Sequence, residues 1–246
     1  MAECGTARFR RLVLLLVLAA LAPGAAADDR GGAPDAAGTP APEWEAFTPA
    51  PKASPTLYTI ETSGDGPVIR ADANASMSGL IRRQRVDLAQ TPLLRWRWRI
   101  AAPLVTADLG TEAGDDYAAR VYVLFDYDAS RLPWTTRARL ALAKAIYGVD
   151  VPAAALDYVW DNRHPVGTVA PNAYTDRVRM VVVESGAERA GRWVTETRDV
   201  AADFRAAFGE DAPPVAALAI ATDTDNTGEK ATAWYGAIGF VARDKE

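Results

Sequence analysis

The side chains best suited to chemistry are two carboxylates, an aromatic ring and a guanidinium near the start of a predicted strand. They are Asp115, Asp116, Tyr117 and Arg120. Such a group suits sugar hydroxyls, because the acid accepts hydrogen bonds and the ring covers an apolar sugar face. The alternative is structural: Asp116 pairs with an arginine such as Arg97 or Arg120 and fixes the sheet edge. We take Asp116, Tyr117 and Arg120 as candidate ligand-binding residues, and both interpretations stay open.

The densest polar run, residues 160–165, contains the only histidine of the chain. We interpret it as a loop in which Trp160 stacks on a ligand while Asp161 and Asn162 accept and donate hydrogen bonds. His164 beside Asp161 has the chemistry of a general acid or base. A single loop histidine is more often without a catalytic role. The run therefore favours binding, with Trp160, Asp161 and Asn162 as contacts.

A third polar segment, residues 223–229, has oxygen-bearing side chains at alternate positions before a glycine. It resembles the start of an EF-hand loop, but Thr227 stands at the fifth position and Trp234 at the twelfth. A calcium site of another type, with Asp223 and Asp225 as ligands, is one interpretation, and an ordinary turn is the other. Calcium is the only cofactor that the sequence suggests.

These segments need strands to position them, and residues 94–100 are the clearest strand. Leucine, tryptophan and isoleucine alternate there with three arginines, so the guanidiniums share one face. Residues 119–125 repeat the alternation. Other candidate strands are residues 57–61, 68–71, 76–82, 177–184, 192–200, 215–222 and 231–241. About nine strands with polar turns predict an all-β, mostly antiparallel, jelly-roll-like β-sandwich. Residues 135–147 form one inserted helix and residues 203–208 a short helical turn.

The inserted helix has a broad apolar arc and several basic residues. A cap over one open end of the sandwich is the favoured interpretation. An interfacial helix on an anionic membrane leaflet is the alternative.

The first 27 residues have the pattern of an export signal. Arg8, Arg10 and Arg11 precede an apolar run at 12–22, and alanines at 25–27 offer a cleavage site. The run is too short to span a bilayer, which needs about 20 residues. We predict a signal peptide at 1–27, a flexible linker at 28–42 and a single β-sandwich domain at 43–243. The mature chain would be periplasmic or secreted, with no stable membrane span.

Composition excludes several classes of protein. The formal net charge of −5 argues against nucleic-acid binding, which needs a basic surface. The chain has one cysteine, which would be lost with the signal peptide, so a disulfide framework and a cysteine zinc cage are excluded. Its single histidine excludes a multi-histidine metal site.

An ordered series of motifs resembles a family of exported bacterial proteins catalogued as domain of unknown function 3047. The series comprises residues 114–125 (GDDYAARVYVLF), 158–160 (YVW), 208–209 (FG), 223–227 (DTDNT) and 235–238 (YGAI). The resemblance implies a single β-rich domain, usually exported and similar to carbohydrate-binding sandwiches. It supplies no catalytic residues.

The function that the sequence favours is non-catalytic binding of a saccharide or another polar ligand of the cell envelope. One alternative is a carbohydrate-active hydrolase or lyase in which Asp116 works with Asp161 or His164. Another is a structural envelope protein that docks through its inserted helix.

Overall fold

Twelve strands in the described part of the chain form two stacked sheets. The computed structural model describes residues 43–48, 53–64, 66–147 and 152–243. The predicted signal peptide and the whole of the predicted linker lie outside these residues. The strands are β1 (Glu45–Phe47), β2 (Leu57–Ser63), β3 (Gly66–Asn74), β4 (Gly79–Val86), β5 (Leu93–Ile100), β6 (Arg120–Phe125), β7 (Ala155–Asp161), β8 (Val169–Asn172), β9 (Thr175–Ser185), β10 (Val194–Asp199), β11 (Val215–Ala221) and β12 (Lys230–Val241). The helices are α1 (Trp134–Tyr147) and α2 (Val200–Phe208).

One sheet has seven strands in the order β1-β4-β11-β6-β7-β9-β8, and the other has five in the order β10-β5-β12-β3-β2. Neighbouring strands are antiparallel except β7 and β9, which are parallel. The predicted fold class, an all-β and mostly antiparallel jelly-roll-like sandwich, is confirmed.

The core between the sheets contains the apolar side chains of β5. Trp96 and Trp98 are both buried, as the alternation of residues 94–100 predicts. Trp98 packs edge-on against Trp96 at 5.6 Å between ring centres, and Trp160 of β7 lies 5.7 Å from Trp98. Such aromatic pairs add about 0.5–1.5 kcal/mol each beyond the burial of their area.

The seven-stranded sheet is covered on both faces. Val121 and Val123 of β6 face the core between the sheets, whereas Tyr122 belongs to a second buried cluster on the opposite face. That second cluster also includes Leu109 and Tyr117, from the segment between β5 and β6. The residues of β6 and β7 are therefore buried throughout.

The two helices differ in how they are held. Asp199 caps α2 by accepting a hydrogen bond from the backbone amide of Ala202, and Gly209 ends the helix with a φ of 74°. The described side chains of α1 are exposed, apart from the partly buried Thr136 and Leu140. The interpretation of α1 as a cap over one end of the sandwich stays a prediction, because the described side chains of the helix cover only part of its surface. Within the described part of the chain, we find no helix with the length and hydropathy of a membrane span.

Candidate functional site

Arg120 is the centre of a buried ionic network at the start of β6. Its guanidinium forms salt bridges with Asp115 at 2.7 Å, Asp157 at 3.2 Å and Asp223 at 2.6 Å. The ring centre of Tyr117 lies 4.5 Å from the guanidinium carbon. All four charged side chains are buried. We call Arg120, Asp115, Asp157 and Asp223 the Arg120 cluster.

Strand register brings the cluster together. Arg120 lies opposite Val159 of β7, and Asp157 points to the same face because it is two residues away. On the other side, Arg120 lies opposite Ala221 of β11, and Asp223 follows two residues later. The cluster therefore joins three adjacent strands on the outer face of the seven-stranded sheet.

The carboxyl groups of the cluster outnumber its single guanidinium. Burial raises the pKa of Asp157 to about 7, because desolvation outweighs the attraction of Arg120 and the charge of Asp115 adds to it. Burial also raises the pKa of Asp223. The cluster therefore binds a proton more readily than separate carboxyl groups in water, and a bound proton reduces the repulsion among its carboxylates.

Asp116 has a different role from its neighbour Asp115. Its carboxylate accepts hydrogen bonds from the backbone amides of Asn226 at 3.3 Å and Thr227 at 2.6 Å. The alternative interpretation, an ion pair between Asp116 and an arginine, is wrong in detail, since Asp115 forms that pair with Arg120. Asp116 instead holds the loop between β11 and β12.

Three carboxylates meet beneath that loop. Asp116, Asp223 and Asp225 each offer an oxygen, and these atoms lie within 4.8 Å of one another. Oδ1 of Asp225 is buried and has no hydrogen-bond partner among the described residues. Burial, together with the charge of Asp116, raises the pKa of Asp225 to about 6. The oxygen set and the unpartnered atom suit a hard cation, so calcium at Asp223 and Asp225 stays a prediction, with Asp116 as a third ligand.

The polar run at 160–165 does not form the predicted loop pocket. Trp160 lies in β7 and is buried in the core, where its indole nitrogen donates to the carbonyl of Gly186 at 3.0 Å. Its placement in a loop was wrong, because the strand continues to Asp161. Asp161 accepts hydrogen bonds from the backbone amides of Arg163 at 2.7 Å and His164 at 2.6 Å. The run is therefore a strand end closed by a carboxylate.

The other contacts of this run are also internal. Nδ1 of His164 lies 3.2 Å from each carboxylate oxygen of Asp161. Nδ2 of Asn162 donates to the carbonyl of Ala107 at 2.8 Å. The contact of Asn162 ties the end of β7 to the segment that follows β5.

Burial decides how the predicted ligand contacts are to be interpreted. The structure brings Asp116, Tyr117 and Arg120 together with the predicted metal ligands Asp223 and Asp225. Of the six predicted ligand contacts, five are buried and only Asn162 is partly exposed. The buried ones are Asp116, Tyr117, Arg120, Trp160 and Asp161. These residues form an internal polar frame rather than an open pocket.

A more exposed arrangement lies on the solvent face of the five-stranded sheet, where two tryptophans alternate with three arginines. The guanidinium carbon of Arg99 lies 3.9 Å from the ring centre of Trp234 and 5.4 Å from that of Trp193. Arg97 lies 4.6 Å from Trp193, and Arg70 lies 5.6 Å from Trp234. All five side chains are partly exposed. We call Arg70, Arg97, Arg99, Trp193 and Trp234 the tryptophan–arginine strip.

Acidic side chains complete one end of the strip. Arg70 forms salt bridges with Glu61 at 2.9 Å and Asp72 at 2.7 Å. The indole nitrogen of Trp234 donates to Glu61 at 2.8 Å. The hydrogen bonds from Arg70 and Trp234 lower the pKa of Glu61, so it is an anionic acceptor at neutral pH.

A glycine allows Arg97 to lie against the sheet. A Cβ atom on Gly236 would come within 2.5 Å of both Cγ and Nε of Arg97. Only glycine therefore leaves room for the observed position of this side chain. The alternation of residues 94–100 indicated the arginine face, but no sequence pattern indicated that Trp193 and Trp234 would join it.

A further carboxyl pair lies at the edge between the sheets. Burial, with the charge of Glu184, raises the pKa of Glu196 to about 7. Glu184 forms a salt bridge with Arg189. The sequence analysis missed this pair, because its members lie on strands of different sheets.

Fold and site together define a two-sheet β-sandwich with a buried arginine–carboxylate network and an aromatic–cationic outer face. The family described as "Protein of unknown function (DUF3047)" matches residues 42–239, and the chain belongs to it. No curated protein matches the chain.

Three solved structures are similar to this chain at low identity. One is the xyloglucanase domain of NopAA, a type three effector from Sinorhizobium fredii, in complex with cellobiose, at 11% identity and a TM-score of 0.40, covering 81% of this chain and 93% of that chain. A structure described as "CBM4 structure and function" has 12% identity and a TM-score of 0.33, covering 82% and 95%. Endoglucanase 3 of Trichoderma harzianum, from family GH12, has 7% identity and a TM-score of 0.32, covering 81% and 99%.

Proposed function

We propose that the protein binds an acidic polysaccharide of the cell envelope, without catalysis, along the tryptophan–arginine strip. The observation that carries this proposal is the alternation of planar guanidiniums and indole rings on one solvent-facing sheet surface. Stacking on Trp193 and Trp234 holds the guanidinium of Arg99 in place, and its terminal N–H groups can donate to a ligand.

The shape of the strip supports an extended ligand. Arg70 and Arg99 lie directly opposite Trp234 on its two neighbouring strands, and Trp193 immediately precedes β10. Strands are spaced by about 4.8 Å, so the strip, which extends from β3 to Trp193 beside β10, is about 14 Å long. This length exceeds that of a single sugar ring and suits an oligomer.

The charges of the strip favour an acidic ligand over a neutral one. Glu61 and Asp72 neutralise Arg70. Among the described residues, no carboxylate forms a salt bridge with Arg99. The carbon of its guanidinium is 3.9 Å from the ring centre of Trp234, so arginine already occupies one face of that ring. A carboxylate or sulfate group can accept from the guanidinium edge, whereas a neutral sugar would have to displace it.

Burial supports binding over the hydrolase alternative. The carboxylates that the sequence offers for catalysis, Asp116 and Asp161, are buried and engaged by backbone amides. A glycosidic bond has to lie between two carboxyl groups that the substrate can reach. The export signal predicted at residues 1–27 would bring the binding surface to the envelope.

Affinity electrophoresis with polygalacturonate, an acidic polymer, and dextran, a neutral one, tests the proposal. We expect polygalacturonate to retard the parent chain and dextran to leave it unaffected. The Arg99→Gln variant should lose most of the retardation, because it loses a charged donor. Arg205→Gln, which changes an exposed arginine of α2, is the matched control. Equal retardation of both variants, or none of the parent, would contradict the proposal. Release of reducing ends would instead support the hydrolase.

A further inference from the structure

The exposed side of α1 combines apolar and basic side chains in an otherwise acidic chain. Trp134 is 73% exposed and Leu142 is 55% exposed. Residues 129–147 contain no aspartate or glutamate, whereas the whole chain has a net charge of −5. This segment therefore differs from the rest of the surface in both hydropathy and charge.

Helical geometry places the apolar and the basic side chains of α1 on different parts of the helix surface. At 3.6 residues per turn, the positions of Trp134, Ala138, Ala141 and Leu142 fall within an arc of about 100°. Arg137 lies beyond one side of this arc and Arg139 beyond the other. The partly buried Thr136 and Leu140 lie on the opposite side of the helix. The helix thus rests on one side and presents to solvent an apolar arc with basic flanks.

The start of the helix is fixed to the sandwich. Arg131 forms a salt bridge with Glu210 at 2.8 Å, and the hydroxyl of Tyr127 donates to the same carboxylate at 2.8 Å. An anchored helix start holds the apolar arc in one orientation relative to the domain.

We propose that α1 docks the protein on a bilayer surface that contains anionic phospholipid. A shallow apolar arc with basic residues on both flanks matches an interface where acyl chains lie beneath anionic headgroups. Tryptophan, exposed here at position 134, favours the headgroup region. A second copy is the less suitable occupant, because two copies would bring the same basic flanks together. This surface is separate from the tryptophan–arginine strip and does not depend on polysaccharide binding.

Vesicle sedimentation with residues 28–246, the chain expected after signal cleavage, tests the proposal. We expect sedimentation with vesicles of equal parts phosphatidylglycerol and phosphatidylcholine, little with phosphatidylcholine alone, and weaker binding as salt rises. The double variant Arg137→Glu/Arg139→Glu should bind at least about 25-fold more weakly, since each basic residue contributes about fivefold. Leu142→Ser tests the apolar arc in the same assay.

The matched control is Arg85→Glu/Arg205→Glu, which makes the same charge change at exposed arginines elsewhere. It should sediment like the parent chain, and thermal unfolding should show all variants folded. A parent chain that ignores anionic vesicles, or a helix variant that binds as the control does, would overturn the proposal. So would a parent dimer that the helix variant abolishes, because the face would then belong to a second copy. Loss of polysaccharide binding with vesicle binding intact would contradict only the proposed function.

Discussion

Replacing Gly236 by alanine should displace Arg97 and weaken ligand binding without unfolding the protein. The new Cβ would lie 2.5 Å from Cγ and Nε of Arg97. The arginine has to retreat by about 1 Å to reach ordinary van der Waals separation. This retreat removes its guanidinium from Trp193, now 4.6 Å away. The perturbation thus acts on the strip through packing and leaves its charge unchanged.

The expected cost in stability is modest. Crowding costs about 1–3 kcal/mol, and the lost cation–π contact costs about 0.5–1 kcal/mol. Replacing glycine returns about 0.4–1 kcal/mol, since the unfolded chain loses conformational freedom. The free energy of unfolding should fall by about 1–3 kcal/mol, which urea denaturation can measure. If Arg97 donates to the ligand, affinity for polygalacturonate should fall at least about tenfold.

Gly239→Ala on the same strand is the matched control. A Cβ at Gly239 would have no atom of the described residues within 4 Å, so this variant should retain both stability and affinity. A folded Gly236→Ala protein that binds polygalacturonate as tightly as the parent would refute the assignment of Arg97 to the site. Equal losses in both variants would show that the strand, rather than the arginine, matters.

Other predictions concern the buried polar frame and α2. Folding raises the pKa of Asp157 from 3.8 to about 7. Between these pH values the folded state holds more protons than the unfolded state. The urea midpoint should therefore fall as the pH rises from 3.8 to about 7. Calcium should raise the midpoint at pH 7 more than at pH 4 if Asp225 and its neighbours bind it; an equal effect at both pH values would contradict that prediction. Arg120→Met should cost about 3–5 kcal/mol, because it leaves buried carboxylates unpaired, whereas the exposed Arg85→Met should cost under about 1 kcal/mol. Asp199→Ala should cost about 1 kcal/mol by removing the α2 cap, and an unchanged midpoint would contradict the capping role.

The alternation of apolar and polar residues predicted the strands that have one buried face and one exposed face. In β5, apolar residues face the core and arginines face solvent, so the sequence shows the period directly. In β7 every residue is buried, because the seven-stranded sheet is covered on both faces. Its sequence, ALDYVWD, therefore shows no contrast between an inner and an outer face. This is why the strand was missed and Trp160 was assigned to a loop.

Adjacent carboxylates posed a different difficulty. Asp115 pairs with Arg120, whereas Asp116 accepts backbone amides from the β11–β12 loop. The backbone at Asp115 has φ −76° and ψ 59°, outside the regular strand and helix regions. The direction of each side chain therefore depends on a local turn. Sequence periodicity carries no information about such a turn. The sequence could therefore predict that the two carboxylates belong to one group of polar side chains, but not which partner each carboxylate would have.

The tryptophan–arginine strip shows that predicting a surface site requires the pairing register of the strands as well as the face on which each side chain lies. Period two places Arg97 and Arg99 on one side of β5, but it does not say which residue of β12 lies beside each. The pairing of β5 with β12 shifts between Tyr235 and Ile238, and the residues within that shift are Gly236 and Ala237. The irregularity therefore lies where the side chain of Arg97 crosses the neighbouring strand. A regular ladder with a side chain at position 236 would close the space that Arg97 occupies, so the bulge and the glycine together determine the shape of the strip.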